Sequence, residues 1–293
     1  MVLRKNSTGE AVLRMQQWLN FLYQAAEVLP ETGEFDATTH DALMDFQEAA
    51  GLKPDGIFGK MSYAALRKAV HSRYKVVGGF KLFGKVVMPA DQYEKGYNSF
   101  RLRADAAYWY KLMYNELKAA GALITSSGSD RSLDASVSAA RSPTSMHYIA
   151  TAFDLYIYSG MIDPKTDPYI VERDGDKWRV WARCTDGKGE LRTISNPVTY
   201  RKRKGTGVPV TDWVVDFTAI AAKYHYVAIK PRPSFFTGGT EMGAEWWHFQ
   251  NEYVLFPLYS TFGEELGTLH APAAIQKSAL RQYTDRVFKI SWF

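Results

Sequence analysis

Between residues 9 and 70 the chain carries three helix-period apolar stretches separated by two glycine-bearing turns, and this constrains its fold more tightly than any other feature. Val12, Leu13, Met15, Leu19, Leu22 and Tyr23 wrap one helical face over residues 9–24, behind the capping chemistry of Ser7-Thr8-Gly9-Glu10. A turn with Pro30 and Gly33 follows. Asp36 then precedes a second stretch through Leu43 and Phe46, which stops before Gly51. Lys53-Pro54-Asp55-Gly56 is a turn signal, and Ser62-Tyr63-Ala64-Ala65-Leu66 opens a third helix. Helices this short are marginal in isolation and gain their stability by burying apolar faces on one another. The pattern therefore predicts a miniature three-helix bundle.

A bundle of that size leaves most of the 293 residues over, so a second and larger domain is expected. The 46% of hydrophobic residues supply a core for it and exclude a disordered or fibrous chain. A net charge of +5 suits an anionic polymer, nucleic acid included, without choosing one. No run of apolar residues is long enough for a membrane-spanning helix. The opening Met1-Val2-Leu3-Arg4-Lys5 lacks the apolar region of a secretory signal, so synthesis without classical export is expected. Cys184 stands alone, which excludes an internal disulfide and a cysteine-rich zinc module. Any metal here must be held by His, Asp and Glu.

Residues 73–88 are basic and glycine-rich, with apolar residues at Val76-Val77 and in Phe80-Lys81-Leu82, and read as a linker passing into a strand. Leu102, Ala106, Trp109, Tyr110, Met113 and Leu117 predict a core helix packed on a sheet, followed by a strand at Ala122-Leu123-Ile124-Thr125. Residues 163–210 alternate short apolar runs with Asp174-Gly175 and Asp186-Gly187 turns and predict an insertion of β-hairpins. A helix over 210–224 and a strand over 226–230 are expected next, and the tail from 271 to 293 reads as helical.

Two segments carry candidate chemistry: the run from Ser145 to Asp154, which contains His147, and Glu245-Trp246-Trp247-His248. A catalytic zinc takes three protein ligands and keeps one position open, and His147, Asp154 and His248 supply three such donors. An odd spacing puts residues on opposite faces of one strand. The seven positions from His147 to Asp154 therefore fit a loop leading into a strand. Glu245, three residues before His248, can offer a carboxylate to the same site.

In their joint order these residues resemble two families. Gly9, Val12, Gln16-Gln17, Leu19, Gly33-x-Phe35-Asp36, Phe46-Gln47, Gly51-Leu52 and Asp55-Gly56-Ile57-Phe58-Gly59 are similar to the three-helix peptidoglycan-binding module. Ser145-x-His147 through Asp154, with Glu245-x-Trp247-His248, resembles the Ser-x-His-x-x-Gly-x-Ala-x-Asp and Glu-x-Trp-His motifs of the zinc D-alanyl-D-alanine carboxypeptidase family. That family includes D,D-dipeptidases and many phage endolysins. One departure is that Ala150 stands at the family's glycine, followed by Thr151.

The resemblance implies an α+β chain: a peptidoglycan-binding bundle over 1–72, then a zinc peptidase over 73–293 with a central antiparallel sheet flanked by helices. It implies Zn2+ on His147, Asp154 and His248, with Glu245 as general base and then general acid. Arg131 corresponds to the oxyanion arginine of the family's Ser-Gly-x-Arg segment, but the extra residue after Gly128 leaves Arg141 as an alternative. Ser145 and Trp247 are candidate substrate contacts. The expected partner is peptidoglycan rather than nucleic acid, the expected state a monomer, and the expected setting an endolysin that reaches the wall through a holin-type or specialised release. Two alternatives stay open, an inactive wall-binding or virion protein and a D,D-dipeptidase acting on small muropeptides. The bond cut, D,D-carboxypeptidase or L-Ala-D-Glu endopeptidase type, is not decided.

Overall fold

The computed structural model describes residues 2–23, 29–79, 84–138 and 141–289. Its contacts divide the chain into two units, 1–84 together with 253–293, and 85–252. The mixed α and β architecture agrees with the α+β expectation. No helix among the described residues is long and apolar enough to cross a membrane.

The first unit is built on α1 (Glu10–Tyr23), α2 (Ala37–Ala49) and α3 (Lys60–Gly78). Val12, Met15, Trp18, Leu19, Leu43, Phe46, Leu66 and Val70 are buried among them. Asp36 caps α2 by accepting the Thr39 amide at 2.8 Å. Two buried glutamines fasten the intervening turns in the same way. Gln16 accepts from the Gly33 amide at 2.9 Å and donates to the Glu34 carbonyl at 3.0 Å. Gln47 accepts from the Gly56 amide at 2.9 Å and donates to the Ile57 carbonyl at 3.0 Å. Each side chain thus satisfies backbone groups that a tight turn leaves unpaired.

Two sequence expectations differ here. Helix α3 continues through residues read as linker and ends only where Gly79 takes a left-handed φ of 67°. A boundary at 72 therefore falls inside a helix. The alternation at Phe80-Lys81-Leu82 lies outside the described residues. The second difference is at the C-terminus, where 253–293, expected to continue the larger domain, belongs to the first unit. The Tyr253 carbonyl accepts from Arg14 at 2.9 Å and from the Trp18 indole at 3.1 Å. Phe256, fully buried, lies 5.0 Å from Trp18 and 5.2 Å from Phe58 between ring centroids. Glu265, also fully buried, pairs with Arg67 at 2.9 Å. Helices α7 (Phe262–Gly267), opened by a Thr261 capping box, and α8 (Pro272–Lys277) follow.

Among its described residues the second unit holds three antiparallel sheets. Strands β1 (Lys85–Pro89) and β2 (Ser99–Arg103) form a hairpin, against which α4 (Ala104–Ala119) packs. Strand β3 (Ala152–Asp154) pairs with β9 (His248–Asn251), which pairs in turn with β8 (Tyr226–Ala228). The third sheet has the order β4-β5-β7-β6, from β4 (Tyr169–Asp174), β5 (Lys177–Arg183), β6 (Glu190–Ile194) and β7 (Val210–Asp216). It occupies the expected hairpin region and extends past it. Residues 210–216, expected to be helical, form β7, because Val210, Trp213, Val214 and Val215 suit a strand, and the segment pairs with β6 over Val210–Val214 and with β5 over Val214–Asp216. The helix, α5 (Phe217–Lys223), starts only where Asp216 accepts the Ala219 amide at 2.9 Å. Residues 122–125 join no strand ladder; Asp91 and Tyr169 side chains instead hold the Ile124 and Thr125 amides at 2.7 and 3.2 Å.

Because the C-terminal segment fills part of the first unit's core, Phe256→Ala should destabilise that unit by about 3 to 5 kcal/mol. Urea unfolding of the full chain measures this. A free-standing N-terminal bundle would instead leave that transition where it is.

Candidate metal centre

The β3–β9 register sets two of the three candidate ligands. Asp154 and His248 are direct cross-strand partners, so their side chains leave the sheet on one face. The preceding pair, Phe153 and Phe249, points to the other face, where the rings stack with centroids 5.7 Å apart and Tyr110 packs 5.2 Å from Phe153. His147 arrives from the turns ahead of β3, as its odd spacing from Asp154 requires. Its carbonyl accepts the Arg131 amide at 2.9 Å and the Ala150 amide at 3.2 Å. Ala150 closes this turn at φ 53°, a left-handed conformation in which glycine is at ease and alanine is strained.

The donor atoms of His147, Asp154 and His248 all lie within 4.8 Å of one another. His147 Nε2 is 3.1 Å from His248 Nδ1, and the two Asp154 oxygens lie 3.2 Å from the former and 3.0 Å from the latter. Ligands about 2.0 Å from a tetrahedral zinc are about 3.3 Å apart, so these separations fit such an ion. The outer hydrogen bonds agree. His147 Nδ1 donates to the Ser129 carbonyl at 2.5 Å, and His248 Nε2 donates to Gln250 Oε1 at 3.2 Å. Gln250 is oriented by donating its amide to Glu252 at 2.6 Å. With both protons directed outward, two nitrogen lone pairs and a carboxylate converge with no hydrogen between them. That donor set is suited to a cation.

Without a cation, the three groups bias one another's protonation. Burial would raise the Asp154 carboxyl, yet the two imidazoles outweigh it and hold the group well below the usual carboxylate range. Burial would lower the His248 imidazole, but the Asp154 carboxylate pushes it up.

Around this cluster the remaining expected residues separate. Glu245, Ser145 and Trp247 line a cavity of about 220 Å³ together with the three candidate ligands. Glu245 sits at φ 53°, and its carbonyl accepts the His248 amide at 3.2 Å, so one short turn presents both side chains. Arg131 lines the same cavity, its guanidinium 5.3 Å from the Tyr148 ring centroid and its buried Nη1 without a hydrogen-bond partner among the described residues. Arg141 is exposed and lines neither this cavity nor its neighbour. Sequence reasoning missed Arg232, whose Nε and Nη2 hold Glu245 Oε1 at 2.8 and 2.6 Å. No local pattern marks it. Gln250 was also missed, although strand alternation places it on the same face as His248.

The comparison with protein families bears on the other unit. Residues 8–66 match the family described as "Putative peptidoglycan binding domain". The match covers α1, α2 and the first part of α3, including both glutamine-fastened turns, and it supports association with the cell wall. No curated protein matches the chain.

Two measurements probe the cluster. Gln250→Leu removes the acceptor for His248 and should weaken zinc about 10- to 100-fold, while Gln250→Glu retains an acceptor and most of the affinity. Competition with a chromophoric chelator reads both. Ala150→Gly should change stability by less than about 1 kcal/mol, because relief of left-handed strain offsets the added freedom of the unfolded chain. Ala150→Val should cost at least about 2 kcal/mol in denaturant unfolding, since a β-branched residue is poorly accommodated at positive φ.

Proposed function

We propose that residues 85–252 form a zinc peptidase that cuts peptide bonds in peptidoglycan stem peptides, attached to a wall-binding unit. The observation that carries this reading is the convergence of His147 Nε2, His248 Nδ1 and the Asp154 carboxylate beside Glu245 and Arg131. The wall-binding match of residues 8–66 supports the substrate. When bound, zinc would supply Lewis-acid polarisation of the scissile carbonyl and would acidify the attacking water.

The chain's own groups divide the remaining work. Glu245, steadied by Arg232, takes the proton of the attacking water and hands it to the leaving amine. Arg131, which lines the same cavity, serves to stabilise the oxygen on which negative charge develops, where one placed donor contributes about 3 to 4 kcal/mol. Ser145 and Trp247 border the cavity as substrate contacts. Wall binding raises the local concentration of the peptidase near its polymer.

Glu245→Gln should keep zinc and fold while losing about 10² to 10⁴ in rate on purified sacculi, followed by mass spectrometry of the released peptides. His147→Ala and His248→Ala should lose the metal, as elemental analysis would show, since each removes one of three ligands. Stoichiometric zinc in either alanine variant would mean that other residues hold it. A wild-type chain purified without chelator and carrying under about a tenth of an equivalent of zinc would instead indicate a wall-binding protein without this chemistry.

A further inference from the structure

Glu245 shares a cavity with His147, Asp154 and His248, yet its carboxylate is not among the donor atoms that converge there. A glutamate is an ordinary zinc ligand. Three protein donors with a carboxylate added make a closed, structural site, whereas three with a position left for water make a catalytic one. Glu245 is placed to serve in either, because it precedes His248 by three residues and its carbonyl accepts the His248 amide at 3.2 Å. What separates the two outcomes is whatever holds this flexible side chain away from the cluster.

Arg232 supplies that restraint. Its Nε donates to Glu245 Oε1 at 2.8 Å, and its Nη2 lies 2.6 Å from the same oxygen. The Glu245 side chain is 12% exposed, so solvent screens the pair weakly. The arginine is itself fixed through its backbone. Its amide donates to the Gly243 carbonyl at 2.8 Å, and its carbonyl accepts the Phe235 amide at 2.9 Å, where α6 (Pro233–Phe236) begins. The Trp178 indole donates to the next carbonyl, that of Ala244, at 2.5 Å. Arg232 and Glu245 are thus joined twice, once through the Gly243 carbonyl two residues before Glu245 and once through their side chains.

We infer that Arg232 is a positioning residue that keeps Glu245 a base: by engaging the carboxylate it prevents Glu245 from becoming a fourth metal ligand, and so preserves the position that water takes. The inference rests on the peptidase reading above. It requires opposite effects on metal affinity and on turnover when Arg232 is removed. A residue that only supported the loop would weaken both.

The test compares the full-length chain with Arg232→Met, which keeps an unbranched side chain and removes the donors, and with Arg232→Lys, which keeps a cation. Competition with a chromophoric chelator reads zinc affinity, and release of peptides from purified sacculi reads turnover. We expect Arg232→Met to bind zinc at least about tenfold more tightly than the wild type while losing at least about tenfold in turnover. Arg232→Lys should move both values back toward those of the wild type. Arg232→Met combined with Glu245→Gln should lose the gain and bind zinc as Glu245→Gln alone does, because the added ligand is the Glu245 carboxylate. Unchanged or weaker zinc binding in Arg232→Met would overturn the inference, as would a gain that survives Glu245→Gln, and either result would leave the peptidase reading standing. A zinc-loaded wild-type chain that releases no peptide would overturn the peptidase reading and this inference with it.

Discussion

The antiparallel register of β3 on β9 is the constraint on which the rest of the second unit depends. It sets Asp154 opposite His248 on one face and Phe153 opposite Phe249 on the other. Because strand side chains alternate, a slip of one residue would bury the charged pair among the aromatics and put the phenylalanines in the cleft. The stacked Phe153 and Phe249 rings, with Tyr110 and Tyr226 against Phe153, make that slip costly. The hydrophobic core thus holds the polar site in register. The loops need only deliver His147, Arg131 and Glu245 to a position the sheet has already defined.

Beside that register, the cluster carries backbone strain and an unpaired group of its own. Ala150 and Glu245 both take left-handed backbone, and Arg131 keeps a buried donor unpartnered. Each feature works against stability, and surrounding bonds hold each in place: the His147 carbonyl accepting two amides, Arg232 on Glu245, Ser129 and Gln250 on the imidazoles.

The first unit shows a different economy. Its helices are short, and each of its two turns is held by one buried glutamine, which explains in hydrogen-bond terms why Gln16 and Gln47 recur at equivalent places before Gly33 and Gly56. Gly56 takes a left-handed φ of 65°, and a Cβ there would lie 2.1 Å from the His40 ring, which would have to move aside. The bundle is completed by Phe256, Tyr259 and Glu265, so part of the core of a unit whose residues 8–66 match a wall-binding family comes from the far end of the chain. The chain leaves this unit after residue 84 and returns to it at 253, and the second unit is thereby inserted between two parts of the first.

Local pattern alone determined the three N-terminal helices, the mixed fold class and the donor types available for a metal. Helical periodicity, turn residues and the lack of cysteine partners are properties of neighbouring positions or of simple counts. Tertiary structure decided what depends on distant pairing. Val210–Asp216 became a strand because β5 and β6 flank it, and residues 122–125 stayed outside any ladder because the Asp91 carboxylate and the Tyr169 hydroxyl met their amides first. Arg131 rather than Arg141 lines the cavity of the candidate ligands because its amide bonds to the His147 carbonyl. Arg232 reaches Glu245, and residues 253–293 join the N-terminal helices, through contacts that leave no periodic trace in the sequence. Local preferences act over a few residues and are written in their order, whereas these choices were made by which buried polar and aromatic groups found partners far along the chain.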